Sequence, residues 1–129
     1  MRLRPITNDI QKCLLPVNGK PMLEWWLDAV FASECFEKVY VNFHYLGDQV
    51  IEWIVQYSKK KSRVVLIIDE RKKLLGTAGT LFYHADWNED FMSAYTDTYS
   101  EEVFRKIPLY FDRFYRESQK FLAGILTFD

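Results

Sequence analysis

Residues 38–69, KVYVNFHYLGDQVIEWIVQYSKKKSRVVLIID, decide the fold class. Lys38–Phe43 is short, β-branched and aromatic, which predicts a strand. Leu46–Tyr57 changes period: Leu46, Val50, Trp53, Ile54 and Tyr57 recur at helical spacing along one stripe. Lys59, Lys60 and Lys61 then read as a solvated turn. Arg63–Asp69 is nearly all apolar, the pattern of a strand buried on both faces of a parallel sheet with helices on each side.

The alternation continues outward. Pro21–Glu34 predicts a helix with Met22, Leu23, Trp26, Leu27, Val30 and Phe31 on one core face. Pro21 suits a first turn, where its missing N–H costs nothing. Beyond Asp69, a charged connection (Glu70–Leu75) leads to Gly76-Thr77-Ala78-Gly79-Thr80, and a short helix is expected over Ala78–Asp86. Phe91–Tyr95 reads as a strand ending just before Asp97, with Glu101-Glu102 on a surface turn. Pro108–Glu117 reads as a helix burying Phe111, Phe114 and Tyr115, and Phe121–Phe128 as a last strand. Such alternation argues for an α/β layered fold with a mostly parallel sheet. Ligands of these folds sit at the carboxyl ends of the strands, which singles out the loops after Phe43, Asp69 and Tyr95. The basic opening segment has no strand before it and the last strand has no helix after it. The sheet is therefore expected to have raw edges that a second copy, in a homo-oligomer, would cover.

Composition narrows the function classes. The 129 residues fit one domain, and an apolar share of 49% supplies a core and argues against general disorder. Lys+Arg is 17 and Asp+Glu is 18, a net charge of −1 that argues against nucleic acid or an anionic membrane as the main partner. No apolar run approaches the roughly 18 residues of a membrane span. The opening MRLRPITNDI lacks the apolar core of a secretion signal. Cys13 and Cys35 have no CxxC spacing and no histidine company, so they read as reduced thiols of a cytoplasmic protein. The basic neighbours of Cys13 would lower its pKa, but no partner base lies near it in sequence. His44 and His84 are too isolated for a metal site or a triad.

Three segments have the residue types for chemistry. Arg2-Leu3-Arg4-Pro5-Ile6-Thr7, with Lys12-Cys13-Leu14-Leu15-Pro16-Val17 and Asn18-Gly19-Lys20, holds four cations in twenty residues on a proline-stiffened path. Arginine grips phosphate as a bidentate fork and lysine as a point charge; the plain alternative is a solvated basic tail. Gly76-Thr77-Ala78-Gly79 lets backbone approach a flat ligand, with the N–H groups of the next helix free. It equally reads as a turn and cap before that helix. Asp97, past a predicted strand, is placed to hold Mg²⁺ against substrate phosphates; an aspartate capping its own turn has the same sequence signature.

The order RLRPIT, KCLLPVNGKPMLEWWLD, VNFHYLGDQV, LLGTAGTL and a segment ending in TD resembles the sugar-phosphate nucleotidyltransferases, clearly from Arg2 to Asp97 and more faintly to Phe128. The resemblance implies a Rossmann-like three-layer α/β domain that makes nucleotide-diphosphate sugars from an NTP and a sugar 1-phosphate. It implies that Arg2 clamps the triphosphate, Lys12 contacts phosphates at the reacting centre, Gly76, Thr77, Ala78 and Gly79 lie along base and sugar, and Asp97 binds the catalytic Mg²⁺. Gln11 stands where the family usually has proline, Thr96 where it has glycine, and Met1 where the phosphate loop has threonine. The wording of KCLLPVNGKP and LLGTAGTL leans toward the mannose- or heptose-phosphate guanylyltransferases and the capsule-sugar relatives, with GTP as one candidate NTP, and identifies neither base nor sugar. Two other readings are a non-catalytic nucleotide-binding remnant and a regulatory or interaction subunit of the same family. An unrelated flavodoxin-like binding domain is left if Arg2, Lys12 and Asp97 do not converge.

The family's first strand and glycine-rich loop are expected before Arg2, and its sugar-binding half with a second metal-binding aspartate after the last strand. On that expectation residues 1–129 form a partial, incomplete domain. The purified chain is then expected to show little or no turnover of an NTP with mannose, glucose or heptose 1-phosphate. A pyrophosphate-release assay checks this, and measurable turnover contradicts it.

Overall fold

The computed structural model describes residues 5–34, 36–84, 91–102, 104–107 and 109. After two short 3₁₀ turns, Ile6–Asn8 and Lys12–Leu14, strands β1 (Pro16–Val17) and β2 (Lys20–Pro21) form an antiparallel hairpin. Its turn residues, Asn18 and Gly19, have φ of 50° and 77°, the pair of positive values that a type I′ turn requires. Helix α1 (Met22–Ser33) follows with Pro21 as its cap, where a missing N–H is harmless. Strand β3 (Tyr40–Phe43), helix α2 (Gly47–Lys61), strand β4 (Leu66–Asp69) and helix α3 (Gly76–His84) complete the regular elements. Residues 101–102, 104–107 and 109 are also helical.

The quoted stretch folds as its periodicity predicts, with β3 and β4 parallel and α2 as the crossover between them. Along β3, Val41 and Phe43 are buried while Tyr40 and Asn42 are exposed. Val50, Ile54 and Tyr57 of α2 pack on that buried face with Val65, and Leu23, Leu27 and Cys13 close the cluster. A second cluster lies on another side of α1: Phe104 and Ile107 packed by Trp25, Trp26, Ala29, Phe36 and Tyr99. Asp28 links α1 to α2, bonding Lys20 Nζ at 2.9 Å, Tyr57 Oη at 2.9 Å and Lys61 Nζ at 3.2 Å. Burial opposes its charge, yet these three donors together hold the Asp28 carboxyl below its ordinary range.

The expected α/β class holds: among the described residues the strands form two two-stranded sheets, one antiparallel and one parallel. Several finer expectations are corrected. Strand β4 alternates half-buried and exposed residues, with Ile67 39% exposed, so it is not covered on both faces. Lys59–Lys61 form the last turn of α2, not a loop after it, and three cations there suit the negative end of the helix. Helix α3 starts at Gly76, two residues before Ala78. Phe91–Tyr95 is irregular, not a strand. Helical backbone begins by Glu101, so Glu101 and Glu102 sit in a first turn, seven residues ahead of Pro108. Trp26 is half-buried and joins the second cluster rather than the main core. Asp86, Pro108, the rest of the helix expected there and the strand expected over Phe121–Phe128 lie outside the described residues.

Gly47 shows how tightly α2 starts against β3. An added Cβ would lie 2.6 Å from two ring carbons of Phe43 and 2.8 Å from Cδ of Arg71. Alanine gains at most about 1 kcal/mol of helix propensity, while overpacking a buried contact costs about 1–3 kcal/mol. Gly47→Ala is therefore expected to destabilise by about 1–2 kcal/mol. The measurement is the urea midpoint at unchanged slope; an equal or higher midpoint contradicts the packing.

Candidate functional site

Lys12 opens a 3₁₀ turn whose position is set from outside. The Gln11 side-chain carbonyl accepts from the Cys13 N–H at 3.4 Å, its amide donates to Tyr45 O at 2.9 Å, and its backbone N–H donates to Gln49 Oε1 at 3.0 Å. A proline at position 11 has no N–H to make the last bond, so the departure at Gln11 ties the Lys12 turn to the start of α2. Cys13 points inward and is a buried free thiol. Burial pushes it up to about 11, against a smaller lowering from a backbone hydrogen bond. This corrects the lowered pKa expected from its basic neighbours: desolvation wins, and the thiolate form is disfavoured. Lys20 is turned away from any phosphate role, bonded to Asp28 and lying 3.8 Å from the centre of the Trp25 ring.

Asp97 sits in a turn rather than at a strand end. Thr98 Oγ1 donates to Tyr95 O at 3.2 Å across that turn. The two tryptophans of α1 fix the segment: Trp26 Nε1 donates to Thr98 O at 3.1 Å, and Trp25 meets Tyr99 edge to face at 5.3 Å. Asn18 of the hairpin donates to Tyr99 Oη at 3.2 Å. Lys12 Nζ then lies 2.8 Å from Asp97 Oδ2, closing a separation of 85 residues. Both side chains are about half exposed, at 48% and 50%, so the pair is open to a ligand.

The glycine segment forms the first turn of α3. Gly76 has φ +71°, and a Cβ there would touch nothing within 4 Å, so backbone conformation rather than crowding calls for glycine. Gly76, Thr77 and Ala78 are exposed, and Gly79 is half-buried, where a Cβ would come 3.0 Å from that of Leu75. The first N–H groups of the helix have no partner within it. The hydroxyls of Thr77 and Tyr95 share a hydrogen bond of 2.7 Å. Tyr95 and Asp97 are two residues apart, a span of at most about 7 Å. One short stretch therefore receives Thr77 at one end and Lys12 at the other. Arg2 lies outside the described residues.

Three further residues carry no motif in the sequence. Tyr95 falls in a predicted strand, and Asn42 reads as an ordinary strand residue. Glu70 reads as one charge in a charged connection, yet it is 4% exposed. It accepts from Asn42 Nδ2 at 2.9 Å, from the Leu75 N–H at 3.1 Å and from the Thr80 hydroxyl. Its place one step beyond β4, at the edge where such folds gather functional groups, is the signal that would have found it.

The described residues contain no group of three His, Cys, Asp or Glu able to hold a metal ion. An open hollow of about 510 Å³ lies beside Asp69, Arg71 and Lys72. There Arg71 forks onto Asp69 at 2.9 and 2.7 Å and also binds Asp48. The Arg71 guanidinium holds the Asp69 carboxyl below its usual range, so that acid is already engaged. Asp97 is a single accessible carboxylate, a donor set that fits Mg²⁺ when phosphate oxygens and waters complete its coordination. No helix among the described residues is long and apolar enough to cross a membrane.

This arrangement places a lysine, a carboxylate and a glycine-bearing helix start around one exposed stretch of an α/β chain. The family model described as nucleotidyl transferase matches residues 1–109, and the chain belongs to that family. It is 33% identical over 109 residues to a Sulfolobus acidocaldarius protein bearing the name mannose-1-phosphate guanyltransferase, covering 82% of this chain and 29% of that protein. It is 31% identical over 85 residues to the mannose-1-phosphate guanylyltransferase regulatory subunit alpha of Dictyostelium discoideum, covering 66% and 20%. It is 37% identical over 79 residues to the N-acetylmuramate alpha-1-phosphate uridylyltransferase of Caulobacter vibrioides, covering 60% and 32%. The chain thus spans a third or less of the length of these relatives. No solved structure matches it.

A half-exposed ion pair contributes about 0–1 kcal/mol. Lys12→Ala and Asp97→Asn are each expected to unfold within about 1 kcal/mol of the parent, and a double-mutant cycle to give a coupling no larger than that. Thermal and urea melts check this. A loss of several kcal/mol makes the pair a structural prop instead of a free site.

Proposed function

We propose that this chain forms the nucleotide-binding part of a sugar-1-phosphate nucleotidyltransferase, within a Rossmann-like three-layer domain. The observation that carries it is the Lys12–Asp97 pair at 2.8 Å, set beside the Thr77–Tyr95 bond on one stretch of chain. In the proposed reaction a phosphate oxygen of the sugar 1-phosphate attacks the α-phosphorus of the NTP and pyrophosphate departs. Positioning and charge neutralisation do most of the work in such transfers. The Lys12 ammonium leaves Asp97 to meet phosphate oxygens, steadying the transferred group. Arg2 would grip the departing pyrophosphate. The Gly76–Gly79 turn would lie along base and sugar, its exposed N–H groups facing the ligand. Asp97 would hold Mg²⁺, which when bound spreads the negative charge of the phosphates.

The name of the Sulfolobus relative favours GTP among the nucleotides, and that of the Caulobacter relative favours UTP. The name of the Dictyostelium relative supports a second reading, a regulatory subunit that binds nucleotide without turning it over. Calorimetric titration of the chain with GTP, dTTP, UTP and CTP tests the common core of both. At least one NTP is expected to bind, more tightly with Mg²⁺, and Asp97→Ala is expected to lose that metal dependence, a change on the order of 10-fold. Absence of binding by all four, or an Asp97→Ala variant with the same metal dependence, overturns the proposal. Binding without transfer to any sugar 1-phosphate favours the regulatory reading.

A further inference from the structure

We propose that Glu70 is a positioning residue that sets the shape of the Gly76–Thr80 turn, and through it the affinity for the nucleoside part of the ligand. The proposal rests on the reading of that turn as the nucleoside contact. Glu70 is the one buried charged residue among those described, at 4% exposure. Three donors from three places converge on it: Asn42 Nδ2 of β3 at 2.9 Å, the Leu75 N–H at 3.1 Å and the Thr80 hydroxyl of α3. Asn42 Nδ2 also reaches Thr80 Oγ1 at 3.1 Å, and that hydroxyl lies 2.9 Å from Gly76 O. The network therefore fastens both ends of the glycine turn, Leu75 before it and Thr80 after it, to the carboxyl edge of β3. His44 Nδ1 lies 2.7 Å from Glu70 O, holding the backbone at the same point.

An ionised carboxylate is acceptor-only, which is what three converging donors need. A glutamine of the same size brings an NH₂ group that must face at least one of those donors. No hydrogen bond of the network ends on Lys12 or Asp97, which take their places from Gln11 and the tryptophans of α1. One link joins the two halves, the Thr77–Tyr95 bond; Glu70→Gln does not remove it, so two ligands can read the halves apart.

The test compares the 129-residue chain with Glu70→Gln, using two ligands and one exchange measurement. The ligands are the tightest-binding of GTP, dTTP, UTP and CTP, and inorganic triphosphate, each with Mg²⁺. Glu70→Gln is expected to weaken the nucleotide on the order of 10-fold and to leave inorganic triphosphate within about 2-fold. Hydrogen exchange at the Leu75 amide is expected to speed up on the order of 10-fold, with Ile54 and Tyr57 of α2 still protected. Thr80→Val, which keeps the branched shape and removes the hydroxyl, is the milder second variant, expected at about 3-fold on the nucleotide alone. An equal loss of both ligands, or unchanged nucleotide affinity with unchanged Leu75 exchange, overturns the proposal. Should the parent chain bind no nucleotide, the proposed function falls, and the Leu75 exchange rate alone decides whether Glu70 sets the turn.

Discussion

The parallel pairing of β3 with β4 is the constraint on which the rest depends. Two parallel strands cannot be joined by a tight turn; the connection must run back along the sheet. Helix α2 is that connection, and its apolar stripe covers the Val41 and Phe43 face on the way. Because the strands run the same way, Phe43 and Asp69 end together, in register. The Glu70 N–H extends the ladder by donating to Phe43 O at 2.9 Å. Asn42 and Glu70 therefore meet on the face opposite α2, and α3 begins where they meet. A slip of one residue would send Val41 and Phe43 to that face and scatter the network.

Helix α1 carries a second burden. Leu23 and Leu27 belong to the core shared with the strands, while Trp25, Trp26 and Ala29 pack against Phe104 and Ile107. Trp25 stacks on Phe104 at 6.3 Å, and Trp26 meets the same ring edge-on at 5.0 Å. Aromatic contacts of this kind add about 0.5–1.5 kcal/mol each beyond area burial. They matter here because residues 91–95 form no strand. With no sheet to locate it, Asp97 takes its place from side-chain packing and two indole hydrogen bonds, one to Val17 O and one to Thr98 O.

What the sequence made legible follows from periodicity. The helices α1 and α2 and the strands β3 and β4 announce themselves through patterns a few residues long. Phe91–Tyr95 misled because a short apolar run does not distinguish a strand from an irregular segment packed by aromatics. Strand β4 looked fully buried because composition says nothing of how many neighbours a strand has. In the candidate site, Lys12, Asp97 and the glycine turn stood out by residue type. Their meeting did not, since a separation of 85 residues leaves no local pattern. Glu70 was hidden by its neighbours Arg71, Lys72 and Lys73, which make a buried acid look like part of a solvated run.

The site divides into a soft part and a stiff part, and the division has a physical basis. Lys12 and Asp97 are half exposed, where water screens their attraction and an exposed pair is worth about 0–1 kcal/mol. Glu70 is 4% exposed, and hydrogen bonds to charged groups contribute about 1.5–3 kcal/mol each. A ligand that brings anionic oxygens to Lys12 and a cation to Asp97 exchanges one weak ion pair for two contacts at little cost. Opening the Glu70 network would instead strand a buried carboxylate, so the ligand has no reason to disturb it. A binding surface works best when the groups that must let go are loosely held and the backbone that must stay is tightly held.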